Sequence, residues 1–297
     1  MFQTSGLGFF AGSAEADAPV IAVTVTAVAF EVPVDAWLRM SLASEGWQIV
    51  SARWFPGPNG LFFEATGLRG EGERQQVRRS SVRADGNLIF SVNCLCGRRH
   101  WDAAKEIFWT AHVTFELLGS TGTTRMELWA KAAASAPNFS LAHPMSWSAE
   151  AAPAEPSGDH VSALHVRLAD AKGEVLLAYL QVKASEDSVK TSADLPALSA
   201  ASATQLRRAG VIPVPGEREL SDDDDPRALG VEGWLGGFAG QARMGGAVVS
   251  SRFGYLQRDN VTFSLALLNP TPADDSLTSL RALRVFEIAR ATLRLEA

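Results

Sequence analysis

The sequence predicts an α+β fold of two similar units, each an antiparallel β-sheet meander with a packed C-terminal helix. Two observations lead to this prediction. Short segments in which apolar and polar residues alternate, as in half-buried strands, are separated by turn signals. In addition, one strand-plus-helix pattern occurs twice, near residues 85–118 and 259–293. Sheets with short connections and a helix packed across them make a layered α+β architecture.

The repeated strand has one apolar face in both copies. After the hairpin signal Asp85-Gly86, the first copy forms this face from Leu88, Phe90, Val92, Cys94 and Cys96. The second copy forms the matching face from Val261, Phe263, Leu265 and Leu267. A serine follows the phenylalanine in both copies, at Ser91 and Ser264, so the strands match in face and phase.

The repeated helix is amphipathic in both copies. Its first apolar stripe consists of Ala104, Ile107, Phe108, Ala111, Phe115 and Leu118. The second stripe has the same spacing and consists of Ala282, Val285, Phe286, Ala289 and Leu293. The starts of the two halves correspond more loosely, since 30–33 leads to Trp37 and 139–144 leads to Trp147.

The remaining elements complete two meanders. Further strands are predicted at 47–55, 61–66, 74–82, 161–168, 174–184 and 242–255, and further helices at 34–43 and 195–209. Linkers are predicted at 119–124 and 131–138, and a loop at 151–158. The predicted units are 1–130 and 131–297, the second with an insertion at about 211–232.

Composition and charge narrow the class of protein. The chain has 297 residues, of which 46% are hydrophobic and 20% charged, as in globular proteins, and this length suits two domains. A net charge of −6 gives no electrostatic reason to bind nucleic acid. The sequence shows no export signal and no membrane-spanning stretch, so we expect a cytoplasmic protein without membrane insertion.

The order of these elements is similar to that of the PsbP-like and DcrB-like superfamily. The resemblance rests on a Phe-x-x-Pro start at Phe30 and Pro33, a meander, and a strand leading to a C-terminal helix at 282–293. Members of the superfamily mostly act by binding, as subunits of assemblies, lipoproteins, GTPase partners or chaperones for secretion effectors. The resemblance therefore implies a binding role and transfers no catalytic residue. Two units in one chain leave the subfamily open.

Two cysteines and a histidine are the first candidate for chemistry. Cys94, Cys96 and His100 could supply three metal ligands. However, both cysteines lie on the apolar face of their predicted strand, and free cysteine is often buried, so we predict core positions and no metal or other cofactor. Residues two apart on a strand are also poorly placed to form a disulfide, and a reducing compartment fits this pattern.

Two segments of the second half have unusual composition. The acidic run at 222–225 lacks the ligand spacing of a calcium loop, so a solvated loop is expected. The glycine-rich segment at 233–240, with Trp234, Gly236 and Gly237, has neither the P-loop lysine nor the helix of a dinucleotide site. It predicts a flexible loop or a close backbone approach at the start of a strand.

One basic cluster and several aromatic residues are candidates for a binding surface. Arg78 and Arg79 are neighbours on a predicted strand, so their side chains point to opposite faces. Charges of this kind commonly protect a solvated or edge strand, and a site for an acidic partner segment is the alternative. Trp101 and Trp109, at the start of the helix and beside its apolar stripe, are candidates for exposed aromatic contacts.

Together these patterns predict a non-enzymatic binding protein, an adaptor or chaperone-like molecule with a protein partner. A largely apolar sheet face, or the cleft between the units, would hold a protein segment, with the basic strand at its rim. The alternative is a small-molecule carrier or an enzyme with a pocket between the units and the glycine-rich segment over it. Candidate binding residues are Arg78, Arg79, Trp101, Trp109, Trp234, Gly236 and Gly237. The patterns predict no catalytic residue and leave the oligomeric state open.

Overall fold

A computed structural model of the chain describes residues 9–12, 17–28, 30–58, 60–118, 127–135, 137–152, 161–170, 173, 175–186, 190–220 and 230–296. The chain divides into a first unit, residues 1–126, and a second unit, residues 127–297. Both contain antiparallel sheets and helices, so the predicted α+β class is confirmed. None of the described helices is both long and apolar enough to cross a membrane.

The first unit contains a sheet with a helix on each face. Its elements are β1 (Phe9–Gly12), β2 (Val20–Ala27), α1 (Val34–Ser44), β3 (Gln48–Gly57), β4 (Gly60–Arg69), β5 (Gln76–Asp85), β6 (Leu88–Gly97) and α2 (Trp101–Thr114). The antiparallel strands lie in the order β1-β2-β6-β5-β4-β3. Phe62 and Phe63 are neighbours on β4 and point to opposite faces. Arg39 of α1 lies over Phe63, whereas Phe115, just after α2, contacts Phe62.

The core beneath α2 follows the predicted apolar face of β6. Its buried residues are Val92, Cys94, Cys96, Ala104 and Phe108. Both cysteines are therefore free, buried core residues. The predicted burial of the α2 stripe is wrong at two residues, because Ile107 is 62% exposed and Leu118 is 97% exposed.

The second unit contains two sheets. Its elements are β7 (Trp129–Ala134), β8 (Phe139–Pro144), β9 (Ser148–Ala151), β10 (Val161–Ala169), β11 (Leu176–Glu186), α3 (Leu195–Arg208), β12 (Val211–Pro213), β13 (Arg218–Glu219), β14 (Trp234–Met244), β15 (Ala247–Arg258), β16 (Val261–Pro270), α4 (Ser276–Thr292) and β17 (Arg294–Leu295). The larger sheet has the order β12-β14-β15-β16-β11-β10-β9, with β13 also pairing with β14. The smaller sheet has the order β17-β8-β7.

The two larger sheets share one order of strands. The path β3-β4-β5-β6-β2-β1 in the first unit corresponds to the path β12-β14-β15-β16-β11-β10 in the second. The helices occupy matching places in the chain. α1 connects β2 to β3 as α3 connects β11 to β12, and α2 follows β6 as α4 follows β16.

Helix α4 is covered on two sides, which explains why its predicted stripe is buried throughout. It packs on β16 and β11 of the larger sheet and also on β8 of the smaller sheet. The fully buried stripe consists of Ala282, Val285, Phe286, Ala289 and Leu293. Periodicity predicts the face of a helix that packs on its own sheet, but it does not reveal a second covering layer. Val285 is 1% exposed in a core that includes residues of both sheets, whereas Ile107, at the matching position of α2, is largely exposed.

Four predictions about the second half are wrong. The predicted linker at 131–138 contains strand β7, whose alanines pair with β8. The segment Phe139–Pro144 is strand β8, so it does not match the chain before α1. The predicted strand at 242–255 is the hairpin of β14 and β15, which turns at Gly245-Gly246. The predicted insertion includes β12, which pairs with β14 as an ordinary strand of the sheet.

Some predictions fall on parts of the chain outside the described residues. They are the linker at 119–124, the acidic run at 222–225 and residues 153–158 of the loop at 151–158.

Candidate functional site

Arg78 and Arg79 lie on a central strand, so their interpretation as edge-strand charges is wrong. Strand β5 pairs with β4 on one side and with β6 on the other. Charged side chains are tolerated there because each arginine has its own carboxylate partner, Glu45 for Arg78 and Glu64 for Arg79. The two arginines belong to separate clusters on opposite faces of the sheet.

The cluster on the α2 face centres on the carboxylate of Glu64. Arg79 donates to it from Nε at 2.8 Å and from Nη2 at 3.0 Å. Arg53 of β3 donates from Nε at 3.2 Å. The side chain of Glu64 is 5% exposed and that of Arg53 is 57% exposed, so the cluster extends from the core to the surface. Two guanidinium groups share one carboxylate, which leaves a formal charge of +1.

Trp109 of α2 completes this cluster. The guanidinium carbons of Arg53 and Arg79 each lie 4.8 Å from the centre of its ring, which is cation–π geometry. The ring of Phe55 lies 5.5 Å away at an angle of 57°. We refer to Arg53, Glu64, Arg79 and Trp109 as the Trp109 cluster. It joins two of the residues predicted from the sequence, Arg79 and Trp109.

A buried hydrogen bond lies deeper on the same face. His112 of α2 and Ser81 of β5 are both buried, and His112 Nδ1 lies 2.5 Å from Ser81 Oγ. His112 Nε2 is buried, and no described residue forms a hydrogen bond with it. Burial lowers the pKa of His112 to about 4, and it also raises the pKa of Cys94 to about 12. Both groups are therefore neutral at pH 7.

A second cluster lies on the α1 face around Trp47. The guanidinium of Arg69 lies 4.4 Å from the centre of the Trp47 ring, and that of Arg78 lies at 5.9 Å. Glu45 accepts hydrogen bonds from Trp47 Nε1 and from Arg78. Arg78 also donates to Asn93 Oδ1 at 3.0 Å. We refer to Glu45, Trp47, Arg69 and Arg78 as the Trp47 cluster. Arg78 therefore lies in a cluster separate from that of Arg79.

Strand β3 forms an open edge beside the Trp109 cluster. It is the last strand of its sheet, and among the described strands it pairs only with β4. It has a bulge between Ile49 and Ser51 and a proline at Pro56, which leaves residues 51–55 as its regular stretch. Arg53 points to the α2 face, whereas Trp54 contacts Phe63 on the α1 face. Most of the strand is exposed or half-buried.

Trp101 belongs to neither cluster. It begins α2, is half-buried, and packs against Phe108, with 6.2 Å between the ring centres. It therefore contributes to the core beneath the helix.

The glycine-rich segment of the second unit is the start of strand β14, with a bulge between Trp234 and Gly236. Of its two interpretations, the close backbone approach agrees with the structure. A Cβ atom at Gly237 would lie 2.5 Å from the backbone oxygen of Phe253. One at Gly236 would lie 2.5 Å from a methyl group of Leu195. Trp234 is packed beneath Arg290, whose guanidinium lies 4.7 Å from the ring centre.

The described residues contain no group of three or more His, Cys, Asp or Glu side chains that could hold a metal ion. The site residues that sequence reasoning missed are Arg53, Glu64 and His112. Glu64 had a detectable signal, because it is a single acidic residue in the apolar strand 61–66 and a buried carboxylate requires a cationic partner. No local pattern identifies Arg53 or His112, since their partners lie on other elements.

No family model and no curated protein matches the chain. Among solved structures, cyanobacterial PsbP (CyanoP) from Synechocystis sp. PCC 6803 is 12% identical over 60% of this chain and 99% of its own, with a TM-score of 0.36. A protein of Bacteroides thetaiotaomicron VPI-5482 is 13% identical over 54% of this chain, with a TM-score of 0.32, and the match covers 45% of that protein.

The immunity protein TplEi of the T6SS of Pseudomonas aeruginosa is 11% identical over 99% of this chain and 96% of its own, with a TM-score of 0.23. The likeness to cyanobacterial PsbP is a weak fold resemblance.

Proposed function

We propose that the protein is a non-enzymatic binding protein, an adaptor or chaperone-like molecule, that holds an extended segment of a partner protein at the sheet of its first unit. The observation that supports this proposal is the position of the Trp109 cluster beside the open edge of β3. The segment would pair with residues 51–55 and place side chains against Arg53 and Trp109.

The edge strand supplies the affinity in this mode of binding. Backbone N–H and C=O groups along an open edge can pair with an added strand, while neighbouring side chains select its sequence. The bulge before Ser51 and the proline at Pro56 interrupt the edge on both sides of 51–55. Such interruptions limit uncontrolled pairing between sheets. The docked segment would therefore be short.

The Trp109 cluster supplies the selectivity. Tryptophan and arginine are enriched among residues that dominate binding energy at protein interfaces. The cluster has one more guanidinium than carboxylate, and Arg53 is largely exposed. The chemistry complementary to it is an acidic side chain on the bound segment. The surface is more polar than the largely apolar face predicted from the sequence.

The proposal also includes the kind of unit from which the chain is built. We interpret the chain as tandem PsbP-like or DcrB-like units, which the shared order of strands in the two larger sheets supports. A cytoplasmic location remains part of the proposal, with the free thiols of Cys94 and Cys96 as the compatible observation.

The test is affinity purification of the tagged full chain from its native lysate, with mass spectrometry of the retained proteins. The informative variant is Trp109→Glu, and Ile107→Glu is its control because it adds the same charge on the exposed side of the same helix. We expect a partner that is lost with Trp109→Glu and retained with Ile107→Glu. Arg53→Glu, at a largely exposed position, repeats the test without changing the helix.

Hydrogen exchange of the isolated complex locates the contact. Binding at the edge would slow exchange of amides within 51–55. A partner retained equally by all three variants, or one that leaves 51–55 unprotected, would contradict the proposed site.

A further inference from the structure

A cavity of about 600 Å³ lies within the second unit, at the end of its larger sheet. It is bounded by the chain just before β14, by the turn from β15 to β16, and by the C-terminal end of α4 with β17. Its lining residues are Gly230, Val231, Glu232, Gln257, Arg258, Asp259, Ala291, Arg294 and Leu295. Its volume lies within the range of small-molecule sites in proteins.

Two arginines supply the positive charge of this cavity. Arg258 and Arg294 both line it, and neither forms an ion pair with any described residue. The Nε atom of Arg258 is buried and has no hydrogen-bond partner within the part of the chain that the structure describes. Glu232 and Asp259 line the same cavity, and neither is among the described residues that form ion pairs with the two guanidinium groups.

An unpaired, buried guanidinium N–H is costly, because the group has lost its hydration without gaining a partner. A ligand that supplies an acceptor removes this cost. The planar guanidinium group matches carboxylate and phosphate oxygens, with which it forms short charge-assisted hydrogen bonds. The orientation of Arg258 supports this use. Arg252 and Gly254 of β15 face α4. Because alternate residues of a strand share a face, Arg258 lies on the same face, toward the helix whose C-terminal end bounds the cavity.

The wall of the cavity is held in place by the backbone. Gly233 accepts a hydrogen bond from the Gln257 N–H at 2.8 Å. A Cβ atom at Gly233, where φ is +71°, would lie 1.9 Å from the Gln257 backbone oxygen, so this approach requires glycine. The Gln257 side chain accepts from the Lys190 N–H and from Thr262, and donates to the Asp259 backbone. This wall of the cavity is thus fixed by contacts within the chain.

We propose that this cavity binds a small organic anion, whose carboxylate or phosphate group is held by Arg258 and Arg294. The carboxylates of Glu232 and Asp259 are acceptors for hydroxyl or amino groups on the same molecule. The ligand class is therefore a hydroxylated or amino-substituted carboxylate or phosphate ester. This proposal does not depend on the segment-binding function of the first unit.

The test is isothermal titration calorimetry on the full chain at fixed ionic strength, with citrate as the carboxylate probe and glycerol 3-phosphate as the phosphate probe. We expect saturable binding of at least one probe. Arg258→Met and Arg294→Met should each weaken it by about tenfold or more, as expected for a lost charge-assisted hydrogen bond. Arg208→Met, on the exposed end of α3, is the control and should leave the affinity unchanged.

The two probes distinguish a carboxylate ligand from a phosphate ligand, because binding of only one probe identifies the anionic group that the cavity selects. Arg294 is exposed, so its replacement tests the site even if Arg258→Met does not fold. Failure of both probes to bind saturably would overturn the proposal. The same holds if Arg208→Met weakens binding as much as the cavity variants do.

Discussion

His112 Nδ1 and Ser81 Oγ lie 2.5 Å apart in the core beneath α2, where both side chains are buried. The hydrogen bond joins helix to sheet, and the Nε2 atom of the same histidine has no hydrogen-bond partner among the described residues. A charged imidazolium is unfavourable in such a place, which is why its pKa falls from 6.5 to about 4. Protonation of the buried His112 therefore opposes folding and makes the first unit sensitive to acid.

We predict that the free energy of unfolding decreases as the pH falls below the unfolded-state pKa of His112. The unfolded chain binds a proton at this site near pH 6.5, whereas the folded chain binds it only near pH 4, so protons favour unfolding between these values. The contribution of the neutral His112 to the free energy of unfolding is therefore fully present above pH 6.5. Between pH 7 and pH 5 the expected loss is about 2 kcal/mol.

The measurement is urea unfolding followed by tryptophan fluorescence at both pH values. In His112→Leu, the loss of free energy of unfolding between pH 7 and pH 5 should be smaller by about 2 kcal/mol. The variant should also be less stable at pH 7, because it lacks the hydrogen bond to Ser81. The control is His100→Gln, a half-buried position outside the core beneath α2, which should keep the dependence of the original chain. An unchanged dependence in His112→Leu would contradict the prediction.

The two ion pairs of β5 should differ in their contribution to stability. Glu64 is buried between Arg53 and Arg79, whereas Glu45, the partner of Arg78, is 43% exposed. Removing the buried carboxylate leaves the Arg79 guanidinium without its counter-charge, so Glu64→Ala should cost about 3–5 kcal/mol. Removing the exposed one, in Glu45→Ala, should cost at most about 1 kcal/mol.

Chemical denaturation of both variants at pH 7 checks this difference. Because each variant shortens a glutamate to alanine beside the same strand, the comparison separates burial from the loss of charge. Equal costs would mean that Arg79 finds water or another partner when Glu64 is absent.

The sequence could predict elements whose pattern is complete within one segment. The apolar face of β6 and the stripe of α4 were predictable because period-two and helical spacing follow directly from strand and helix geometry. The hairpin of β14 and β15 was missed although Gly245-Gly246 is a two-residue turn signal. The glycines of 233–240 predicted a loop or the start of a strand, so the strand before this turn was not recognised.

Partners on other elements could not be predicted. Arg78 and Arg79 carry charges that are typical of an edge strand, but their partners, Glu45 and Glu64, lie on other segments of the chain. The exposure of Ile107 has the same origin, since nothing in helical spacing reports whether a second layer covers the helix. Long-range pairing, and not local propensity, determined each of these outcomes.

The different covering of α2 and α4 should appear in matched alanine variants. Val285 lies in a core that residues of the larger sheet and of β8 share, and Ile107 occupies the matching position of α2 with most of its surface exposed. Val285→Ala leaves a cavity and should cost about 1–3 kcal/mol. Ile107→Ala should change stability by no more than about 0.5 kcal/mol. Thermal and urea unfolding measure both, and a large cost at Ile107 would show that its outer face is covered in solution.

Gly254 of β15 should resist replacement because two aromatic rings occupy the space above it. A Cβ atom there would lie 2.8 Å from Trp234 and 2.9 Å from Phe286. Gly254 pairs with Leu265 as Ser81 pairs with Val92, so the two residues occupy matching positions in their sheets. In the first unit the side chains of Ser81 and His112 occupy this space, and in the second unit the ring of Trp234 occupies it.

We predict that Gly254→Ala destabilises the protein by about 1–3 kcal/mol, because overpacked cores force side chains and backbone to shift. Without crowding, the same change would stabilise by about 0.4–1 kcal/mol, since alanine restricts the unfolded chain. The sign of the effect therefore decides between the two cases. Gly230→Ala is the control, because a Cβ atom there meets nothing within 4 Å. Urea unfolding gives both values, and a stabilised Gly254→Ala would mean that the Trp234 ring can move away from the sheet.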